Sequence, residues 1–209
     1  EDMASKGVFL PRVQLRKAEE MITRALEVIN AEVLVIAGDV KHIFERLGRR
    51  ESKDVAKFFT FATKVFSRVI LVRGNHDTFI YNVARRYGIE LYDELWIDGI
   101  LVIHGHRDLD PSKKPRFIIM GHEHPSIMLR DELGPLGKVS CFLLVPLTRG
   151  CNALILPALG VYQSGTAIST NRNSYLSPII RKEGILEKAK PFAIVEGEGV
   201  FELPTLEAI

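Results

Sequence analysis

Cysteine is nearly absent from this chain. Cys141 and Cys151 are the only two, and their spacing forms neither a Cys-x-x-Cys zinc pattern nor a disulfide framework. They read as two ordinary buried thiols in a reducing compartment, with a single bridge left open by spacing alone. Long apolar runs are missing too: none approaches the roughly 18–20 residues that cross a bilayer, and no signal-peptide pattern precedes the first helix. The expectation is a cytoplasmic protein with no membrane partner. A surplus of one charge sign is also lacking, since Lys plus Arg number 28 against 26 Asp plus Glu, a formal net charge of +2. That balance is too even to argue for wholesale nucleic-acid binding, while a local basic patch stays open. No internal repeat or low-complexity tract occurs. With 46% hydrophobic and 26% charged residues over 209 positions, the composition fits one well-packed domain spanning 1–209.

What the chain does have is a restricted set of histidines. All six fall within four short motifs: Gly38-Asp39-Val40-Lys41-His42, Gly74-Asn75-His76-Asp77, His104-Gly105-His106 and Gly121-His122-Glu123-His124. Histidines serving separate structural needs would scatter, so this restriction points to one assembled site rich in imidazole and hard oxygen. Such a donor mixture suits divalent transition metals.

The elements around the motifs explain how they could meet. Residues 11–30 read as an amphipathic helix, with Pro11 in its first turn. Val33 to Ala37 form a wholly apolar run, as for a strand covered on both faces, ending at Gly38-Asp39. A helix over about 53–67 precedes a second buried strand, Arg68 to Arg73, which ends at Gly74-Asn75. A short helical stretch follows near 78–87. Leu95-Trp96-Ile97 and Ile100 to Ile103 flank Asp98-Gly99, a hairpin signal, and the second of these strands runs into His104. Phe117 to Met120 run into Gly121-His122. Segments 126–129, 139–145 and 152–156 read as further strands, the first two broken by Gly134, Pro135 and Gly137. Residues 160–178 read as a long irregular connection, and 192–195 with 200–203 as a final hairpin. Four strands thus end at or just before a motif. Ligands of open α/β sheets collect outside the carboxyl ends of strands.

Each motif also has a plainer reading. Gly-Asp is usually a turn, Asn75 and Asp77 could both serve an Asx-turn, and a single His-x-His pair is weak evidence. Together they form a strong constellation: Asp39 has two oxygens able to bridge two cations, and Asn75 offers a neutral carbonyl. His76, beside an acid, could donate a proton. If extended geometry continued, His104 and His106 would point to opposite faces, so His104, nearer the strand, is the expected ligand. His122 and His124 lie in a loop that can turn both inward. His42 reads as a supporting or capping residue, and Glu123 as facing solvent or bracing its loop. Arg49-Arg50 and Lys113-Lys114-Arg116 are candidate phosphate contacts, though charge runs in loops are usually solvated. Trp96 and the phenylalanines of 58–66 read as core.

This ordered motif set resembles the calcineurin-like metallophosphoesterase superfamily, whose motifs include Gly-Asp, Gly-Asn-His-Asp/Glu, a strand-terminal His and Gly-His-x-His. Gly-Asp-Val-Lys-His, Gly-His-Glu-His-Pro at 121–125 and Gly-Val-Phe-Leu-Pro at 7–11 more closely resemble a small prokaryotic branch, which includes the DNA-ligase-associated phosphoesterases. The resemblance implies an α/β fold of two mixed β-sheets packed face to face with flanking helices. It implies a centre of two divalent transition ions, Mn foremost, with Fe, Co, Ni or Zn as alternatives. Asp39 would bridge; Asn75, His104 and His122 would complete one metal site, and His124 would belong to the other. His76, oriented by Asp77, would protonate the leaving oxygen of a phosphoester attacked by metal-activated hydroxide. The implied substrate is a phosphodiester, with DNA or RNA among the candidates. A homo-oligomer is compatible with the sequence.

One departure stands out. The family opens on a strand ending in Asp-x-His, which supplies two ligands to the second metal, and no Asp here has His two positions later. The expectation is that this strand belongs to a trimmed segment. The alternatives are one metal with weak or no activity, or a partner segment filling the gap. The competing functions are therefore a metal-dependent phosphodiesterase or nuclease, a non-catalytic metal-binding scaffold, and a phosphomonoesterase or small-nucleotide phosphodiesterase.

Overall fold

The computed structural model describes residues 13–40, 49–77, 80–131, 134–160 and 165–209. The Gly7 to Pro11 segment and His42 lie outside the described residues, as do the side chains of Arg49 and Arg50. The chain divides into two compact units, Glu1–Glu94 with Leu159–Tyr162, and Leu95–Ala158 with Gln163–Ile209.

In the first unit, helices α1 (Gln14–Val28), α2 (Arg49–Val65) and α3 (Tyr81–Arg86) accompany strands β1 (Val33–Ile36), β2 (Arg68–Val72) and β3 (Glu90–Tyr92). The sheet order is β1-β2-β3, and both pairings are parallel. Parallel neighbours require crossovers, and α2 and α3 lie in those connections. The apolar stripe of α2 places Val55, Phe59 and Ala62, with Phe66 just beyond its end, in a core with Leu71, Ile80 and Ala84. Ile22 and Leu26 of α1 pack against its margin. Truncating a wholly buried phenylalanine such as Phe59 would cost about 3–5 kcal/mol. Strand β3 was not anticipated.

Among the described residues the second sheet has nine strands: β4 (Glu94–Ile97), β5 (Ile100–Ile103), β6 (Phe117–Met120), β7 (Pro125–Asp131), β8 (Gly134–Pro146), β9 (Asn152–Ile155), β10 (Thr166–Ala167), β11 (Lys190–Val195) and β12 (Gly199–Glu202). The order is β10-β7-β8-β9-β6-β5-β4, with β11 joined to β8 and β12. It is mixed, since β5, β6 and β9 run parallel while β7, β8, β9 and β11 alternate in direction around β8. A short helix α4 (Pro178–Glu183) supplies Ile179 and Ile180 to a core with Leu101, Ile118, Met120, Leu143 and Ile155. The α/β class, with two sheets and helices beside them, is the one the resemblance implied.

Three local expectations change. Gly134, Pro135 and Gly137 do not break the strands; they lie within β8, and a register shift between Leu129 and Arg130 absorbs the irregularity. Residues 160–178 are not wholly irregular, because they contain β10, a 3₁₀ turn at Arg172–Ser174 and the start of α4. Trp96 is not core: it is 43% exposed, on the strand that ends the sheet order. Phe59 and Phe66 are buried as expected. Among the described residues, no helix is long and apolar enough to cross a membrane.

Candidate metal centre

The first unit carries one group of candidate residues. Strands β1 and β2 are parallel with Ile36 beside Leu71, so both chains leave the sheet at the same end. Asp39 and Gly74 follow three residues after these partners. Gly74 has to be glycine, because a Cβ there would collide with the Oδ1 and backbone N of Asp39. Asp39 Oδ1 accepts a hydrogen bond from the His76 N–H at 3.0 Å. Asp77 is buried, and its carboxylate ties the two turns together. Oδ2 accepts from the N–H of Asp39 at 2.8 Å and of Gly74 at 2.9 Å, and Oδ1 accepts from Val40 at 3.2 Å. This stapling role for Asp77 was not read from the sequence. Asn75 and His76 are half-buried on the same turn.

The second unit carries the other group. Because β5 and β6 are parallel with Ile103 beside Met120, His104 emerges next to the Gly121 turn. His104 is buried, and its Nε2 lies 3.1 Å from His122 Nδ1. Two nitrogens each about 2.1 Å from one ion would stand roughly 3.0–3.4 Å apart in octahedral or tetrahedral geometry, so this spacing fits a shared cation. The expectation that His104 and His106 face opposite ways fails, because the strand ends at Ile103 and Gly105 turns the chain at φ 102°. The His106 ring centroid lies 5.3 Å from that of His104 and 6.1 Å from that of His122. His124 is half-buried on the same turn as His122, and its carbonyl accepts from the N–H of Thr166 at 2.9 Å.

Backbone conformation singles out the same positions. Among the described residues, the non-glycine residues with positive φ are Asp39, Asp98, His122 and His124. Asp98 belongs to a hairpin turn; the other three are candidate ligands. Each left-handed residue costs on the order of 1 kcal/mol, and such strain concentrates at functional sites.

Two supporting residues lie behind the histidine turns. Of the two readings of Glu123, bracing is the one observed: it is 1% exposed, and its carboxylate accepts from the N–H groups of Leu176 and Ser177 at 2.8 Å. Burial raises its pKa, and the bonds from Leu176 and Ser177 only partly oppose that shift. Ser177, wholly buried, donates its hydroxyl to the Gly105 carbonyl at 2.7 Å. Sequence reading placed Ser177 in an irregular connection; Ser-Pro, a cap residue followed by the imino acid of a first helical turn, is the signal that marks this helix start.

The remaining candidates are placed as follows. Arg116 donates to the Asp98 carbonyl and so braces the β4–β5 turn. Lys114 is exposed, and the Lys113 carbonyl accepts from Arg149, whose guanidinium also forms a two-pronged pair with Glu183. Cys141 and Cys151 are both free and buried, which removes the bridge as an option.

Imidazoles turned together at the carboxyl ends of parallel strands form a candidate metal-binding group in an α/β protein. The family model for the calcineurin-like phosphoesterase matches residues 12–138, and the chain belongs to that family. Its general chemistry is accordingly that of a metal-dependent phosphoesterase. Among solved structures it is similar to the Pseudomonas putida nuclease MPE, at 22% identity and a TM-score of 0.62, over 90% of this chain and 78% of that one. At that identity the likeness concerns fold alone. No curated protein matches the chain.

Proposed function

We propose that this chain hydrolyses phosphodiester bonds, with nucleic acid as the first substrate to test, at a centre of two divalent transition ions of which Mn is the foremost candidate. The observation that carries the reading is the His104–His122 pair, whose ring nitrogens meet at 3.1 Å, a hydrogen-bond contact that is also a separation two ligands of one ion would take. In this reading Asp39, Asn75, His104 and His122 would hold one ion, and Asp39 and His124 would serve the other. When bound, the ions lower the pKa of water and offset charge on the phosphoryl oxygens.

The chain's own residues supply the rest. His76 donates a proton to the leaving oxygen, a contribution worth about 10²–10⁴-fold in such roles. Its backbone N–H is fixed on Asp39 Oδ1, so the turn bearing the proton donor is tied to the proposed bridging carboxylate. Asp77 supports His76 by holding the Gly74 and Asp39 backbones at one carboxylate oxygen. The nuclease among the proteins of similar fold supports trying nucleic acid, with DNA and RNA both as test substrates.

The test is hydrolysis of a bis-aryl phosphodiester against an aryl phosphomonoester with added Mn, followed by single-stranded DNA. We expect diester turnover that His76→Ala lowers about 100-fold or more, with metal content retained. Asp39→Ala and His122→Ala should lower both turnover and bound metal. Preference for the monoester would redirect the proposal to phosphomonoesters. No turnover with any ion, and less than one tightly bound ion per chain, would leave the scaffold reading in its place.

A further inference from the structure

Resting on the ligand reading just given, we propose that Glu123 and Ser177 are positioning residues, a buried bracket that holds the His104–His106 turn and the His122–His124 turn in register for a shared cation. Neither side chain takes part in the chemistry above, and both are withdrawn from solvent, at 1% and 0% exposure. A buried carboxylate is costly unless its oxygens are satisfied. Here the Leu176 N–H reaches both oxygens, at 2.8 and 3.0 Å, and the Ser177 N–H reaches Oε2 at 2.8 Å.

Ser177 then passes the connection on. It stands immediately before Pro178 at the N-terminus of α4, where a serine hydroxyl would ordinarily cap its own helix. It makes no such cap bond and instead donates to the carbonyl of Gly105, 72 positions away in sequence. Gly105 is the residue between His104 and His106, and Glu123 the residue between His122 and His124. One side chain and one backbone N–H therefore join the midpoints of both turns. Two of the four histidines so joined hold strained left-handed backbone, which persists only where surroundings fix it. Further ties hold the same supporting segment: Lys182 with Asp108 at 2.7 Å, and Arg149 with Glu183 and with the Lys113 carbonyl.

The experiment is Mn binding to the full chain by calorimetry, with thermal melts of every variant. Ser177→Ala removes the hydroxyl and keeps the N–H. Glu123→Gln keeps the shape but turns a donor toward N–H groups. Both should weaken Mn binding by about 10- to 100-fold, the usual consequence of losing a support behind metal ligands. Ser177→Thr, which retains the hydroxyl, should recover most of that loss. Leu206→Ala, a cavity in the same core, is the stability control and should bind Mn like the parent despite a lower melting temperature.

Parent-like Mn binding by Ser177→Ala overturns the bracket, as does an equal loss of affinity in Leu206→Ala. Should Glu123→Gln fail to fold, the Ser177 pair decides alone. His122→Ala separates the layers. If it loses Mn and Ser177→Ala does not, the bracket fails and the ligand reading stands. If His122→Ala binds Mn like the parent, or the parent binds none, the ligand reading fails and the bracket with it.

Discussion

Gly74 owes its identity to a neighbour, since a Cβ there would overlap the carboxylate and backbone of Asp39. Gly74→Ala should therefore push Asp39 aside, break its bond to the His76 N–H and weaken Mn binding. Overpacking of this kind costs about 1–3 kcal/mol, readable as a lower urea midpoint; unchanged stability together with unchanged Mn affinity would sink the argument. A second residue-scale expectation concerns Cys141, whose thiol burial pushes up to about 12. Its thiolate fraction near pH 8 is then negligible, so a disulfide reagent should modify Cys141 only after denaturation. Rapid labelling of Cys141 in the native chain would contradict that burial. The candidate ligands were legible in sequence because each motif pairs a metal-type side chain with glycine at a strand end. The Glu123–Ser177 link was not, because a side chain meeting a backbone carbonyl far along the chain leaves no periodicity. The approach of His106 was missed for a different reason: alternation holds only in extended chain, and Gly105 ends it.

At the scale of elements, the β4–β5 hairpin rests on Asp98 and Gly99, both with positive φ, at 47° and 79°. That is the primed-turn pattern whose twist suits adjoining strands. Gly99→Ala should cost about 1–2 kcal/mol for left-handed backbone, and more if Arg116, which a Cβ would meet at Nε, fails to move. Chemical denaturation measures this, and a neutral result would mean the turn rearranges freely. Between β2 and β3, Arg68 forks onto Glu90 at 2.6 and 2.7 Å and holds its carboxyl down to about 2. A depressed folded pKa gives stability that is present above the unfolded value, near 4.5, and is lost as pH falls toward 2. The pair is exposed, so the effect is small and salt-sensitive. Glu90→Gln should lower the urea midpoint slightly at pH 6 and converge with the parent near pH 2; a gap that widens on acidification would refute the linkage. Strands β1, β2, β5 and β6 were readable because uninterrupted apolar runs mark strands, but coverage of both faces holds only for β2 and β5. In β1, expected to be covered on both faces, Val33 is exposed and Leu34 to Ile36 are half-buried. Strand β3 was not readable, since Glu90-Leu91-Tyr92 is three residues of mixed polarity whose strand character comes from pairing with β2. The Gly and Pro of β8 misled for a similar reason, because a bulge in a paired strand tolerates residues that a local rule counts as breakers.

At the scale of the whole molecule, the proposed ligands come from both compact units, with Asp39 and Asn75 in the first and His104, His122 and His124 in the second. Each unit has its own apolar core, so neither needs metal to bury its apolar side chains. Metal binding would then add to stability by mass action, by about 2.7 kcal/mol at a free concentration one hundred times the dissociation constant. If both donor sets serve one centre, their contributions to affinity cannot be independent, because the second ligand lost is removed from a site already broken. Mn affinity of Asp39→Ala, His122→Ala and the double variant tests this as a thermodynamic cycle. Residues acting on one ion should couple by about 0.5–3 kcal/mol, with the double variant only slightly weaker than the worse single one. Strict additivity would mean that the two units bind metal separately, and the proposal of a common phosphoesterase centre would fall.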